Sequence, residues 1–259
     1  MTPTPSPRLQ TLVRIAQAAG VVVMRHYEAG AQAREKADRS PVTDGDFAVN
    51  ALLKDRLLAA QPDYGWLSEE TVDSAERLSR RRVFVVDPID GTTAYLNKEP
   101  WFTVSLAVVE DGKPVAGVVY APALDHLYSG EIGGTAQLNG AAIGVGGVRE
   151  LERCAMLADQ RALNAAPWPP MQVARRNSIA LRLCLVAGDS FDAAASVSTL
   201  HEWDLAAGDL IARLAGAQVT DSAGADLTFN RAEPTTRGLI CANDALHALI
   251  LETLNPSTR

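Results

Sequence analysis

Val83-Phe84-Val85-Val86-Asp87-Pro88-Ile89-Asp90-Gly91-Thr92-Thr93 is the stretch on which the reading of this chain turns. The apolar run Val83 to Val86 predicts a strand that delivers Asp87 at its end. Pro88 has no N–H to give to a ladder and is expected to stop it. The chain then turns, so that Asp90 comes back toward Asp87 instead of pointing to the opposite face. Gly91 leaves room for a close backbone approach, and Thr92 and Thr93 are candidate caps for a helical turn. Two carboxylates at a strand end, beside free N–H groups, suit a metal and a phosphate together. An isolated Asp-Pro would be read as a solvated acidic turn. Two aspartates, a glycine and two hydroxyls within seven residues favour a site.

A nucleophilic aspartate is the competing reading. Haloacid-dehalogenase-type phosphatases also place D-x-D-G-T after an apolar strand, with one Asp attacking phosphorus and the next acting as general acid. That chemistry needs carboxylates at i and i+2, on one face of an extended strand. Here the spacing is i and i+3, and the motif begins some eighty residues into the chain. The metal reading is preferred.

Outward from this stretch, Leu9 to Tyr27 carries Leu9, Leu12, Val13, Ala16 and Val23 at helical spacing. Gly30 to Ser40 is polar and reads as a loop. A second helix is expected after the cap candidates Thr43 and Asp44, with Phe47, Leu52, Leu53 and Leu57 near one face. Gly65 to Glu70 reads as a short strand, and the charged stretch Asp73 to Arg82 separates it from the strand at Val83 to Val86. From Phe102 the pattern is β. Thr103 to Val109 and Val115 to Tyr120 flank an Asp111-Gly112 turn, and a strand around Leu127 precedes a second turn at Asn139-Gly140. Beyond residue 148 strands and helices alternate, with a helix at Leu205 to Ala215, a strand at Arg237 to Ala242 and a closing helix at Ala245 to Leu254. Asn164 to Gln172, with three prolines, is expected to be a surface loop. The sum is a mixed αβ protein of layered sheets and helices.

The 259 residues are enough for one large domain or two intimately packed halves, divided here as 1–147 and 148–259. The formal charge is −7, and such a surface repels nucleic-acid backbone. It does not exclude phosphate substrates, because bound divalent cations reverse the sign locally. Cys154, Cys184 and Cys241 are odd in number and lack CxxC spacing, which predicts buried, reduced thiols in a cytoplasm. The N-terminal stretch has no signal-peptide pattern, and no apolar run is long enough to span a membrane.

Five segments in order resemble the inositol monophosphatase superfamily, the lithium-sensitive phosphatases. They are Lys36-Ala-Asp-Arg-Ser-Pro-Val-Thr-Asp-Gly-Asp46, Leu67-Ser-Glu-Glu70, Asp87-Pro-Ile-Asp-Gly-Thr92, Gly133-Gly-Thr-Ala-Gln-Leu-Asn-Gly140 and Trp203-Asp-Leu-Ala-Ala-Gly208. The likeness runs from about residue 9 to 250 and implies an α-β-α-β-α sandwich. It further implies two to three Mg²⁺ ions. Glu69, Asp87 and the Ile89 carbonyl would hold the first; Asp87, Asp90 and Asp204 the second; Glu69 and Glu70 a weaker third. Thr92, supported by Asp46, would help Glu69 orient and deprotonate the attacking water. The N–H groups of Gly91, Thr92 and Thr93 would bind phosphate oxygens. A homodimer inhibited by lithium is implied as well.

Taken alone, Glu69-Glu70 reads as a solvated turn, Asp204 as a helix cap, Trp203 as packing, His201 as structural and the arginines at 80 to 82 as a solvated face. Only the resemblance lifts the first two. His201 is also a candidate for touching substrate, and Arg175 and Arg176 are candidates for a second phosphate.

For the substrate, inositol phosphatases supply a Glu seven residues before the metal Asp. Here that position is Val197, in a run without an acid. Glu202 and the stretch Glu99 to Ala107 leading into Gly112 to Pro122 read more like bacterial bisphosphate nucleotidases, whereas Thr93-Ala94-Tyr95 lies nearer the inositol enzymes. The expected substrate is a small phosphate ester, 3′-phosphoadenosine 5′-phosphate ahead of inositol 1-phosphate. A catalytically inactive binding protein would be expected to have lost one of Glu69, Asp87, Asp90, Thr92 or Asp204, and none is missing.

Overall fold

The computed structural model describes residues 5–30, 33–35 and 41–256, so the Lys36 to Ser40 part of the first motif lies outside the described residues. Helix α1 (Pro7–Ala29) starts at Ser6, whose hydroxyl accepts the Leu9 N–H, and stops at Gly30 with φ 84°. An antiparallel pair, β1 (Ala33–Glu35) and β2 (Pro41–Thr43), leads into α2 (Asp44–Ala60). Thr43 and Asp46 form a reciprocal capping box at the start of α2.

Seven strands follow in one sheet and in sequence order: β3 (Gly65–Ser68), β4 (Arg82–Asp90), β5 (Thr103–Glu110), β6 (Lys113–Ala121), β7 (His126–Glu131), β8 (Gln137–Leu138) and β9 (Ala141–Ala142). A single turn of helix, α3 (Thr92–Leu96), interrupts them after β4. Only β3 and β4 run parallel; the rest is an antiparallel meander. Its two predicted tight turns are present, with left-handed pairs at Asp111-Gly112 (φ 50° and 80°) and Asn139-Gly140 (φ 49° and 82°).

The remaining chain gives β10 (Ala155–Ala158), α4 (Gln160–Asn164), β11 (Gln172–Ala174), α5 (Ile179–Ala187), β12 (Ala193–His201), α6 (Glu202–Leu214), β13 (Gln218–Thr220), β14 (Thr235–Ala242) and α7 (Asp244–Leu254). Its five strands lie in the order β11-β10-β12-β14-β13. The first sheet uses residues up to Ala142 and the second begins at Ala155.

Burial orders the layers. Leu12, Val49, Leu53 and Leu57 of α1 and α2 pack on Phe84, Val86, Val104 and Leu106 of the first sheet. The opposite face of that sheet, with Val83, Val85 and Val119, packs on α5 and α6, whose other side meets Ala194, Leu239 and Cys241 of the second sheet. Leu246 and Ile250 of α7 cover the far face with Met156 and Ile240. The result is α-β-α-β-α. Each fully buried Leu or Val in these layers contributes about 1.5–3 kcal/mol. Gly117 in β6 lets the sheet approach α6, since a Cβ there would stand 3.0 Å from the Ala207 carbonyl oxygen.

Several expectations are corrected. Pro88 does not stop the ladder. Strand β4 pairs Asp87 with Ser105 and Asp90 with Thr103, so one extra residue bulges out between them and pairing resumes. Gly91, not a threonine, occupies the cap of α3, with φ 95° and no side-chain cap bond. Phe47 is 45% exposed, while Val49 takes its place in the core. The charged stretch after Glu70 holds a 3₁₀ turn, Ala75–Ser79, that buries Arg77. Arg82 is half-buried against Glu110 rather than on a solvated face. Helix α5 was not foreseen as an element.

Among the described residues no helix is long and apolar enough to cross a membrane. All three cysteines are buried and unbridged.

Candidate metal centre

The bulge decides the site. In an unbroken strand, residues three apart face opposite sides. The extra residue at Pro88-Ile89 restores parity: Val83 and Val85 face the middle helices, Phe84, Val86 and Ile89 face α1 and α2, and Asp87 and Asp90 both turn toward the middle layer. The Ile89 N–H, freed from the ladder, donates to Asp87 Oδ1 at 3.0 Å.

Strand β5 supplies the second half of the arrangement. Opposite Asp90, the Thr103 hydroxyl pairs with Ser178 Oγ at 3.2 Å. Opposite Asp87, Ser105 Oγ donates to the Trp203 carbonyl at 3.3 Å, one residue before Asp204. One strand therefore holds both the start of α5 and the start of α6 against the two aspartates.

Asp90 is clamped to the N-terminus of α5. Its Oδ2 accepts the Ser178 hydroxyl at 2.6 Å and the Ala180 N–H at 2.7 Å, and its Oδ1 accepts the Ile179 N–H at 3.3 Å. Asp204 sits in the first turn of α6 and accepts the His201 N–H at 2.9 Å. It is thus a capping residue at N3 and a member of the acidic cluster at once. One carboxylate oxygen each from Asp87, Asp90 and Asp204 lies within 4.8 Å of the others.

Asp87 and Asp90 are 1% and 6% exposed. Burial pushes the Asp87 carboxyl well above its ordinary value, and the charges of Glu69, Asp90, Asp204 and Asp46 push it the same way. Burial also raises Asp90, to about 6, against the opposing hydrogen bonds from Ser178, Ala180 and Ile179. Three carboxylates whose oxygens converge in this way can offer oxygen donors to a hard cation.

Glu69 and Glu70 follow β3 in a half-buried turn, with the Glu69 N–H on the Val86 carbonyl at 3.3 Å, next to Asp87. Asn50 Nδ2 reaches the Glu70 carbonyl at 3.4 Å and Thr71 Oγ1 at 3.1 Å, fixing that turn from α2. Glu69 stands outside the tightest group of three, although its charge is felt by both aspartates.

Asp46 is buried, and its Oδ2 accepts both the N–H and the hydroxyl of Thr43 at 2.8 and 2.6 Å. Thr92 Oγ1 donates to the Ile89 carbonyl at 3.2 Å. Gly91 has no alternative residue: beside its φ of 95°, a Cβ would meet the Trp101 carbonyl oxygen at 2.8 Å and the Ser178 nitrogen at 3.0 Å. Thr92 and Thr93 open α3, where backbone N–H groups have no intrahelical partner.

The substrate candidates separate. His201 stacks on Trp203, with ring centroids 4.5 Å apart and an interplanar angle of 4°. Arg175 is exposed, while the Arg176 guanidinium lies 3.8 Å over the Trp101 ring. Glu202 is buried 2% exposed and accepts the N–H groups of Asn230 and Arg231, so it anchors a loop.

Sequence reading missed Ser178 and Arg182. Arg182 is buried, gives its Nε–H to the Arg176 carbonyl at 2.6 Å, and leaves Nη1 without a partner. Burial lowers its pKa, and the charges of Asp159 and Asp90 act against that. Asn177-Ser178 before an apolar run was the available cap signal for α5.

The model of the inositol monophosphatase family matches residues 4–259. The chain is 30% identical over 249 residues to the 3′(2′),5′-bisphosphate nucleotidase CysQ of Escherichia coli O157:H7, covering 87% of this chain and 95% of that protein. It is 32% identical over 234 residues to the Nus factor SuhB of Xylella fastidiosa, covering 85% of this chain and 84% of the relative. The solved structure of a Thermotoga maritima IMPase superposes with a TM-score of 0.86 at 26% identity, over 96% of this chain and 97% of the other.

Proposed function

The chain belongs to the inositol monophosphatase family, and from that premise we propose a Mg²⁺-dependent phosphomonoesterase whose substrate is 3′-phosphoadenosine 5′-phosphate. The observation that carries the reading is the group Asp87, Asp90 and Asp204, three carboxylates converging within 4.8 Å beside the Gly91 turn. Such a group cannot also accommodate a phosphate dianion without cations between them. Its all-oxygen donors fit Mg²⁺, which Asp87, Asp90, Asp204, Glu69, Glu70 and the Ile89 carbonyl would hold. When bound, the ions neutralise these carboxylates and stabilise charge on the phosphoryl oxygens.

The chain's own groups do the rest. Gly91, Thr92 and Thr93 offer N–H groups at the start of α3 to the phosphate oxygens. Glu69 accepts a proton from the attacking water, and Thr92 orients it while its own hydroxyl proton rests on the Ile89 carbonyl. Water attacks phosphorus in line, the P–O bond to the nucleoside breaks with its electron pair passing to the 3′-oxygen, that oxygen takes a proton from solvent to leave as the hydroxyl, and no covalent enzyme intermediate forms.

Support for a substrate with a second anionic group comes from the cations beside this turn. Arg176 covers Trp101, whose carbonyl oxygen borders Gly91, and the buried Arg182 is bonded to the Arg176 backbone. Arg175 adds an exposed positive charge. Val197, where a polyol-binding acid would be expected, packs among apolar residues of the outer core. The unbridged thiols accord with a cytoplasmic enzyme.

The test is kcat/KM on 3′-phosphoadenosine 5′-phosphate, inositol 1-phosphate and a wider phosphate-ester panel, with and without Mg²⁺. The bisphosphate should be preferred, and Arg176→Ala and Arg182→Met should raise its KM more than that of a monophosphate. More efficient turnover of inositol 1-phosphate would reassign the substrate within the same chemistry. Hydrolysis of none would make this a binding protein.

A further inference from the structure

We propose that Arg77 is a positioning residue that sets the Glu69-Glu70 turn against Asp204, acting through the backbone of residues 230–231 and the carboxylate of Glu202. The proposal rests on the metal-centre reading above. It concerns residues that touch neither substrate nor the acidic cluster.

Arg77 is 2% exposed although it lies in a charged stretch, and its guanidinium makes four hydrogen bonds in two directions. Toward the Glu69-Glu70 turn, Nε and Nη2 grip both oxygens of Asp73 at 2.6 and 2.8 Å. Asp73 follows Glu70 by three residues. Away from the turn, Nη1 donates to Asn230 Oδ1 at 2.8 Å and Nη2 to the Arg231 carbonyl at 2.9 Å. Asn230 returns its Nδ2–H to the Arg77 carbonyl at 3.3 Å.

The same two residues are held from the other side by the start of α6. Glu202 takes the Asn230 N–H at 2.6 Å, the Arg231 N–H at 3.1 Å and the Arg231 Nε–H at 3.3 Å. Glu202 is two residues before Asp204. A continuous chain of charge-assisted hydrogen bonds therefore joins the loop bearing Glu69 and Glu70 to the helix bearing Asp204. The loop follows β3 of the first sheet and α6 follows β12 of the second, so this chain joins segments far apart in sequence, alongside the Ser105 bond to the Trp203 carbonyl. A bidentate arginine fork fixes angle as well as distance, which a flexible ammonium does not.

Groups that orient metal ligands without touching the ion typically change metal affinity by about 10–100-fold when removed. Three full-length variants, Arg77→Lys, Asn230→Gly and Glu202→Gln, cut this chain at different links. Asn230→Gly is the mildest, because glycine tolerates the φ of 58° at that position. Mn²⁺ binding is measured by electron paramagnetic resonance, without substrate, alongside the Mg²⁺ concentration for half-maximal phosphatase activity. All readings are taken below each variant's own melting temperature, with Asp87→Asn as control.

Each variant should weaken Mn²⁺ binding and raise the Mg²⁺ requirement about 10-fold, with kcat recovering at saturating Mg²⁺. Arg77→Lys combined with Glu202→Gln should be no worse than the weaker single variant, since both break one chain. A lowered melting temperature with unchanged Mn²⁺ affinity in all three would overturn the proposal. Losses that simply add would do the same. If Asp87→Asn also binds Mn²⁺ normally, the metal-centre reading itself has failed, and the positioning role falls with it.

Discussion

Asp87 and Asp90 face the same side of β4 because one bulged residue separates them, pairing Asp87 with Ser105 and Asp90 with Thr103. The consequences of this relationship can be measured at each member of the site.

Asp87→Asn should be the most damaging single change to metal binding and turnover. The other carboxylates remain, but the group on which the charges of Glu69, Asp90, Asp204 and Asp46 all act loses its own charge. A loss exceeding the about 10–100-fold typical of indirect partners is expected, read as Mg²⁺-dependent kcat/KM. Excess chelator should abolish wild-type activity, and full activity in its presence would remove the metal from the mechanism.

The metal-free protein should lose stability as pH rises from near 4 to about 6. Asp90 carries an ordinary value of 3.8 and a folded-state value of about 6, and Asp87 is raised as well. In that window the native state binds more protons than the unfolded chain, so deprotonation favours unfolding; above it the Asp90 contribution stays constant, while Asp87, raised well above its ordinary value, extends the loss to higher pH. Melting temperature followed across this range in chelator, then with Mg²⁺ restored, checks the sign. Mg²⁺ should recover most at the higher pH, because it requires the ionised carboxylates.

Thr92→Ala should lower kcat about 10²-fold, the lower end of general-base assistance, with little change in the Mg²⁺ requirement. Its hydroxyl is bonded to the Ile89 carbonyl and lies outside the tight acidic group. A raised Mg²⁺ requirement at unchanged kcat would make Thr92 a metal-site residue instead.

Gly91→Ala should fail in both stability and turnover. The left-handed backbone costs an L-residue about 1–2 kcal/mol. The added Cβ would also press on the Trp101 carbonyl oxygen at 2.8 Å. A melting temperature equal to wild type would show that the turn relaxes freely.

Ser178→Ala removes a 2.6 Å bond to Asp90 and the cap of the Leu181 N–H together. Loss of a helix cap alone costs about 1 kcal/mol. Asp90 should then titrate still higher, moving the onset of Mg²⁺ binding to higher pH. Titration of Mg²⁺ affinity against pH distinguishes this from a purely structural loss.

The strand leading to Asp87, a helix start at Thr43 and both left-handed hairpins were legible in the sequence. Each depends on residue type at short spacing: an apolar run before Asp87, Asp111-Gly112 and Asn139-Gly140 where φ must be positive, and a threonine just ahead of a helical apolar pattern. Tertiary structure alone decided the bulge at Pro88-Ile89, the docking of Asp90 on α5, the unpartnered Nη1 of Arg182 and the Arg77 to Glu202 chain. Helix α5 is buried at all nine positions and so shows no polar face from which a period could be read. Arg77 looks solvated among charged neighbours because the groups that satisfy it in burial, Asn230 and the Arg231 carbonyl, lie more than 150 residues away. Short-range pattern specifies what an element is; which groups it meets across a packed layer depends on partners whose separation along the chain leaves no local trace.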